Sequence, residues 1–331
     1  MTSPDASHAG HASHATPAPD ACSVGFDLAG VSAYGTAARA TFFVALEQPG
    51  PWGRDAATQS HLPAGVGSSL SSACSDRGGR LSLIRRPGRH ADDAHVPDHA
   101  AYLAWAGTDP WLLRLTLTDA ALLLDLDLDA LARGDRDAVL ASAPGAETAE
   151  PILLVCTNGR RDVCCAVRGR PVALDAADDH PGRVWEASHT GGHRFAPTGV
   201  LLPQGATLAR LDADQCGEVL REAAEGRLPT GVLGPLHDRG RSALTGPEQA
   251  AESHVRHEAG ITGLGALTVS ATESESVYAV QHRDGRGWQV ALERRVHTDL
   301  PESCGKVPVH VADWRARTVD QRIRTSPTRH A

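Results

Sequence analysis

Residues 152–171, ILLVCTNGRRDVCCAVRGRP, and 185–196, WEASHTGGHRFA, decide how this chain is read, because they set three cysteines and two histidines beside short apolar runs. Pro151 to Val155 is apolar and partly β-branched, and Thr157-Asn158-Gly159 ends it. That is the pattern of a buried strand delivering Cys156 to a loop at its carboxyl end. Cys164-Cys165 then opens a segment, Ala166 to Asp175, that can start a helix. Trp185 to Ser188 runs into His189-Thr190-Gly191-Gly192-His193, whose paired glycines allow backbone angles closed to other residues and so suit a tight ligand loop.

The donor types narrow the chemistry. Thiolates with neutral imidazoles suit zinc or the iron of an iron-sulfur cluster, whereas magnesium or calcium takes carboxylates and carbonyls. Two cysteines and two histidines are also the Rieske ligand set, but the Rieske order interleaves Cys-x-His twice and this sequence does not.

The residues VCTNGRRDVCCAVRGRP followed by SHTGGHRFAPTGVLLPQG resemble the sucrase/ferredoxin-like family, whose redox module is similar to the thioredoxin-like 2Fe-2S ferredoxins. GVLLPQGATLARLDADQCGEVLREAAEG resembles the closing hairpin and last helix of such a ferredoxin, and WGRDA near Trp52, RGRS near Arg241 and SCGK near Cys304 extend the likeness over most of the chain. The resemblance implies an α/β fold and one 2Fe-2S cluster. Cys156 matches the first ligand, and Cys165 the second, since CAVRG stands where those ferredoxins have a Cys-Ala-x-x-Gly turn. Cys164 is the alternative to Cys165, one residue of slip away. His189 and His193 stand in place of the last cysteine pair. The implied function is electron transfer in the cytoplasm, as a carrier more than a stand-alone enzyme, with an acidic reductase or another redox protein as partner. Imidazole in place of thiolate raises the potential, and a potential that falls with rising pH is expected. Arg160, Arg161, Arg168 and Arg194 add positive charge near the cluster.

Two other readings use the same residues. A structural zinc ion takes two thiolates and two imidazoles, so Cys156, Cys165, His189 and His193 suit it too. A thiol-disulfide oxidoreductase would use Cys164 and Cys165, although adjacent cysteines bridge only with strain. Cys22, Cys74, Cys216 and Cys304 are read as small packing hydrophobes.

Working outward, 331 residues allow two or three modules. A net charge of -8 argues against a nucleic-acid surface, and Lys306 is the only lysine. Seven cysteines, mostly clustered, suit a reducing compartment better than a disulfide scaffold. No stretch reaches membrane-spanning length. Residues 1–21, with His8, His11 and His14, read as a solvated, disordered tail. Residues 22–145 read as an N-terminal α/β module, 146–234 as the thioredoxin-like ferredoxin module and 235–331 as a small C-terminal α+β lobe.

In the first module, Arg39 to Leu46 and Arg80 to Arg85 are expected strands, Leu62 to Ser75 a helix, and Ala101 to Trp105 with Trp111 to Leu117 a hairpin. LLLDLDLDAL, Leu122 to Leu131, alternates and predicts a half-exposed strand passing into a short helix, with solvated Asp125, Asp127 and Asp129 on one face. Carboxylates on one face do not make the opposed pair that glycoside cleavage requires. In the second, a hairpin flanks Pro203-Gln204-Gly205, and a helix starts at Asp212 as N-cap and stops at Gly226. In the third, Pro247 to Glu258 is a helix and Ala266 to Ala271, Val277 to His282 and Trp288 to Val296 are strands. The segments holding His237, Arg239 and Arg241, and Ser303 to Lys306, are read as connecting loops, with contact to the cluster or to a partner as the lesser alternative.

Overall fold

The structure, a computed structural model, describes residues 17–88 and 98–323; His8, His11 and His14 lie outside the described residues. After a short helix α1 (Cys22–Leu28), the chain enters its main sheet at β1 (Phe42–Glu47), an unbroken buried run. Helices α2 (Ala56–Gln59) and α3 (Val66–Ser75) lead to β2 (Arg80–Arg85), parallel to β1. The expected hairpin forms from β3 (His99–Trp105) and β4 (Trp111–Leu117), with Trp105 opposite Trp111. Helices α4 (Leu128–Arg133) and α5 (Arg136–Ser142) and the short β5 (Glu147–Thr148) follow.

The cysteine and histidine segments come next. They comprise β6 (Ile152–Cys156), α6 (Val163–Asp179), β7 (Val184–Ala187), the hairpin β8 (Gly199–Leu202) and β9 (Ala206–Leu208), α7 (Ala213–Ala224) and β10 (Asp238–Arg241). Asp212 caps α7 as expected, in a reciprocal capping box with Gln215. The chain closes with α8 (Gly246–Glu258) packed on an antiparallel sheet of β11 (Leu267–Ala271), β12 (Val277–His282), β13 (Arg286–Leu300) and β14 (Val309–Ile323).

The first ten strands make one mixed sheet, ordered β10-β9-β8-β6-β7-β2-β1-β3-β4-β5. Alternation assigns the faces. Phe42, Val44 and Leu46 pack with residues of α3 and α4 on one side, while Phe43 and Ala45 join Leu154, Trp185 and Val200 on the other. Leu153 and Val155 turn toward α6 and α7. Among the described residues, two antiparallel pairings join those before and after 145: β2 with β7, Ile84 opposite Ala187 and Arg85 opposite Glu186, and β4 with the short β5, Leu113 opposite Thr148. No helix of the described residues is long and apolar enough to cross a membrane.

Two expectations need correction. LLLDLDLDAL forms no strand: a 3-10 turn (Ala120–Asp125) precedes α4. Asp119 and Asp127 accept from the backbone N–H groups of Ala121 and Ala130 as caps, and Asp129 pairs with Arg77 at 2.7 Å. Side-chain caps outcompete a short alternating pattern when the strand would have no partner. The segment with Asp238, Arg239 and Arg241 is not a connecting loop but the edge strand β10. Strand β14 runs fifteen residues through charged sequence in which half-buried Trp314, Ala316 and Thr318 alternate with exposed Arg315, Arg317 and Val319, and it pairs along its length with β13.

Candidate metal centre

Cys156 is the last residue of β6, and its N–H donates to the carbonyl of Thr198. The chain turns on Asn158, whose side-chain oxygen accepts from Arg160 N–H at 3.1 Å, and Asp162 then caps α6 by accepting from Cys164 N–H at 3.0 Å. Consecutive residues on a helix point about 100° apart, so Cys164 and Cys165 must face different neighbours. Cys165 Sγ lies 3.4 Å from Cys156 Sγ, whereas Cys164 Sγ turns to Cys304 Sγ at 3.1 Å and Cys22 Sγ at 3.6 Å. All seven cysteines are free thiols. The CAVRG run is helical and not a turn. Its Gly169 instead lets α6 lie against β6, since a Cβ there would sit 2.3 Å from the Cys156 carbonyl oxygen.

The histidine loop hangs from the end of β7. Ser188 exchanges hydrogen bonds with Leu83 of β2, and the hydroxyls of Thr190 and Thr198 meet at 2.8 Å. Gly191 and Gly192 take φ of 84° and 74°, and a Cβ on Gly192 would lie 2.4 Å from Arg239 Nη2. The His189 and His193 rings stand stacked, 6.5 Å between centroids and 29° between planes. Nδ1 of each ring is buried and has no hydrogen-bond partner. His193 Nε2 lies 2.8 Å from the Glu302 carbonyl oxygen. A carbonyl only accepts, so Nε2 carries the hydrogen and Nδ1 of the neutral ring carries a lone pair; the tautomer follows from this partner.

Charge is concentrated here. The hydrogen bond with Cys165, reinforced by His189, holds the Cys156 thiol well below its usual pKa, and the same bond raises that of Cys165. Arg80 Nη2 donates to the His189 carbonyl at 3.3 Å. Arg239, fully buried, donates through Nη1 to the Gly191 carbonyl at 2.9 Å and through Nε to the Thr36 hydroxyl at 3.0 Å, with Nη2 on the Thr36 carbonyl. Arg194 stacks on Phe26 and Phe195. Burial lowers the pKa of all three guanidinium groups.

Of the arginines singled out in the sequence, Arg160 is exposed and Arg168 is paired with Asp27 at 2.7 Å. Arg161 lines a cleft of about 170 Å³ with Arg54, Arg80, Asn158 and His189. Sequence reasoning passed over Arg80 and gave Arg239 contact with the cluster only as the lesser alternative to a plain connecting loop. The Trp52 loop reaches the site through the Gly53 carbonyl, which accepts from Asn158 Nδ2 at 3.0 Å. Trp52 itself is buried beneath Arg85.

The packing thiols divide in two. Cys74 and Cys216 are buried in apolar clusters, as expected. Cys22 and Cys304 pack in one apolar cluster with Cys164, as expected, and their sulfurs also converge with Asp162, so that the four donor atoms all lie within 4.8 Å of one another. This cysteine-rich group could hold a metal ion. It draws on α1, the start of α6 and the loop between β13 and β14, segments too far apart in sequence for spacing to reveal.

A family model described as sucrase/ferredoxin-like matches residues 34–233, from ahead of β1 to beyond α7. No curated protein and no solved structure matches the chain.

Proposed function

The chain belongs to the sucrase/ferredoxin-like family, and on that premise we propose that it is an electron-transfer protein holding one 2Fe-2S cluster through Cys156, Cys165, His189 and His193. The carrying observation is the pair of buried, unpartnered Nδ1 atoms in the loop beside a buried thiol pair. Most buried polar atoms in folded proteins have a partner, so two unpartnered ring nitrogens in one loop beside two thiols are what a ligand set for this cluster would leave. A single zinc ion is the weaker occupant. A single ion would draw all its donors to one point, and among the described residues the group whose donor atoms all lie within 4.8 Å of one another is a different one.

When bound, the cluster supplies a one-electron couple. The chain's residues set its surroundings. Cys156 and Cys165 would be held as thiolates, and the Glu302 carbonyl fixes the His193 tautomer that leaves Nδ1 free. Arg80, Arg194 and Arg239 favour added negative charge and so a higher potential. Arg54 and Arg161, at the cleft beside His189, give a cationic approach suited to an acidic redox partner.

Anaerobically purified protein is expected to contain two irons and two sulfides per chain, in the stoichiometry the proposal names, and to show an EPR signal of a single unpaired electron after dithionite. Cys165→Ser should abolish both while Cys164→Ser keeps iron and sulfide. A colourless protein with zinc in place of iron, or redox activity that survives metal removal and dies with Cys164→Ser, would end this reading.

A further inference from the structure

We infer that Cys22, Cys164, Cys304 and Asp162 form a second metal site, separate from the cluster, that takes one borderline-soft divalent ion, zinc first among them. The inference goes beyond electron transfer and does not depend on it.

The three sulfurs stand 3.1, 3.6 and 3.6 Å apart, Cys164 to Cys304, Cys22 to Cys164 and Cys22 to Cys304. Four ligands around zinc at a Zn–S distance of about 2.3 Å are separated by roughly 3.8 Å, so a small outward movement of Cys304 completes the triangle. A disulfide would join two sulfurs at about 2.0 Å and leave the third thiol idle. Asp162 supplies the fourth donor, with Oδ1 3.8 Å from Cys22 Sγ. Its side chain has no solvent exposure, and among the described residues the basic group within 4 Å is His193 at 3.6 Å. Despite its burial, hydrogen bonds keep Asp162 a carboxylate, so it presents a negatively charged donor to the space between the thiols.

The carboxylate is already aimed. Oδ2 accepts from Ser303 Oγ at 2.8 Å and Cys304 N–H at 2.9 Å, and Oδ1 accepts from Cys164 N–H, leaving a lone pair on Oδ1 for the ion. Ser23 Oγ donates to Cys164 Sγ at 3.3 Å, which favours the thiolate. Such outer hydrogen bonds orient ligands in metal sites. Cys22 and Cys164 are buried and Cys304 is half-buried, so the loop between β13 and β14 is the entry path. On binding, three thiols release their protons to solvent, and Arg194 beside Cys22 offsets part of the excess negative charge.

The ion would clamp α1 and that loop onto the first turn of α6. Through Cys164 it would steady Cys165, and through Asp162 the Glu302–His193 contact.

The test counts metals after a chelator wash that clears weakly held ions from the histidines of residues 1–21. One zinc per chain is expected alongside the iron and sulfide. Cys22→Ser and Cys304→Ser should each lower zinc at least tenfold and keep iron and sulfide; Cys304 is half-buried on a loop, so its variant should fold. Cys156→Ser should lose iron and keep zinc, so failure of the cluster reading leaves this one standing. That cluster-free variant grown with cobalt(II) in place of zinc should show thiolate-to-cobalt charge-transfer absorption, lost in Cys156→Ser/Cys304→Ser. Wild type without zinc, zinc retained in both Cys22→Ser and Cys304→Ser, zinc lost with Cys156→Ser, iron lost with Cys22→Ser, or a Cys164–Cys304 disulfide in unreduced protein would each overturn the inference.

Discussion

Asp238 and Arg80 show how much a single buried charge does in this molecule. Burial pushes the Asp238 carboxyl up to about 6, while Arg256 and the Gly240 N–H pull the other way. Its unfolded value is near 3.9, so the stability it contributes is full below that pH and is lost as pH rises through about 6. Relative to Asp238→Asn, wild type should therefore lose roughly 1–1.5 kcal/mol between pH 5 and pH 7.5. Urea midpoints of both proteins across that range check this, and parallel curves would contradict it. Arg80→Met removes a buried cation and the hydrogen bond to the His189 carbonyl. The midpoint potential of the proposed cluster should fall by an amount on the order of tens of millivolts, read by redox titration. The sequence identified the histidines but not Arg80, because β2 meets the loop only through the sheet.

At the scale of elements, α6 and its contact with β6 carry the site. Gly169→Ala would thrust a methyl against the Cys156 carbonyl, where no flexible side chain can yield. The helix must shift, at about 1–3 kcal/mol, and Cys165 moves away from Cys156. Iron content should drop below half of wild type while the chain stays folded by circular dichroism. An exposed cap gives the contrasting result: Asp212→Ala removes the cap of α7 and should cost about 1 kcal/mol in a urea melt, with metal content unchanged. Both the α7 cap and the β6 strand were legible, since a capping residue and an apolar run act locally. The strand misread in LLLDLDLDAL was not, because its leucines fit either a strand or a turn and helix, and only the Asp119 and Asp127 caps choose.

Across the whole molecule, one sheet joins the residues on either side of position 145, and Glu186 guards the pairing of β2 with β7. It accepts from Arg85 Nη2 at 2.5 Å and Nε at 2.9 Å and from the Thr157 hydroxyl at 2.7 Å, all buried. Removing one partner of a buried pair leaves the other uncompensated, so Glu186→Ala should cost about 3–5 kcal/mol. Since Thr157 follows Cys156, the same variant should also loosen bound iron, measured as faster loss to a chelator. The ends of the described chain meet above the site: Phe26 of α1 packs edge-on against Phe195 at 5.6 Å, and Leu300 and Val311 join the same apolar cluster.

By itself the sequence determined the donor types, the order of strand, cysteine loop, helix, histidine loop and hairpin, and the family, because these rest on residue chemistry and near-neighbour patterns. Tertiary structure alone decided which vicinal cysteine faces Cys156, which buried arginines brace the histidine loop, and that Cys22 and Cys304 come to Cys164. Helix rotation sets the first, sheet order the second, and the closure of two distant segments over α6 the third; none of these leaves a periodic trace along the chain.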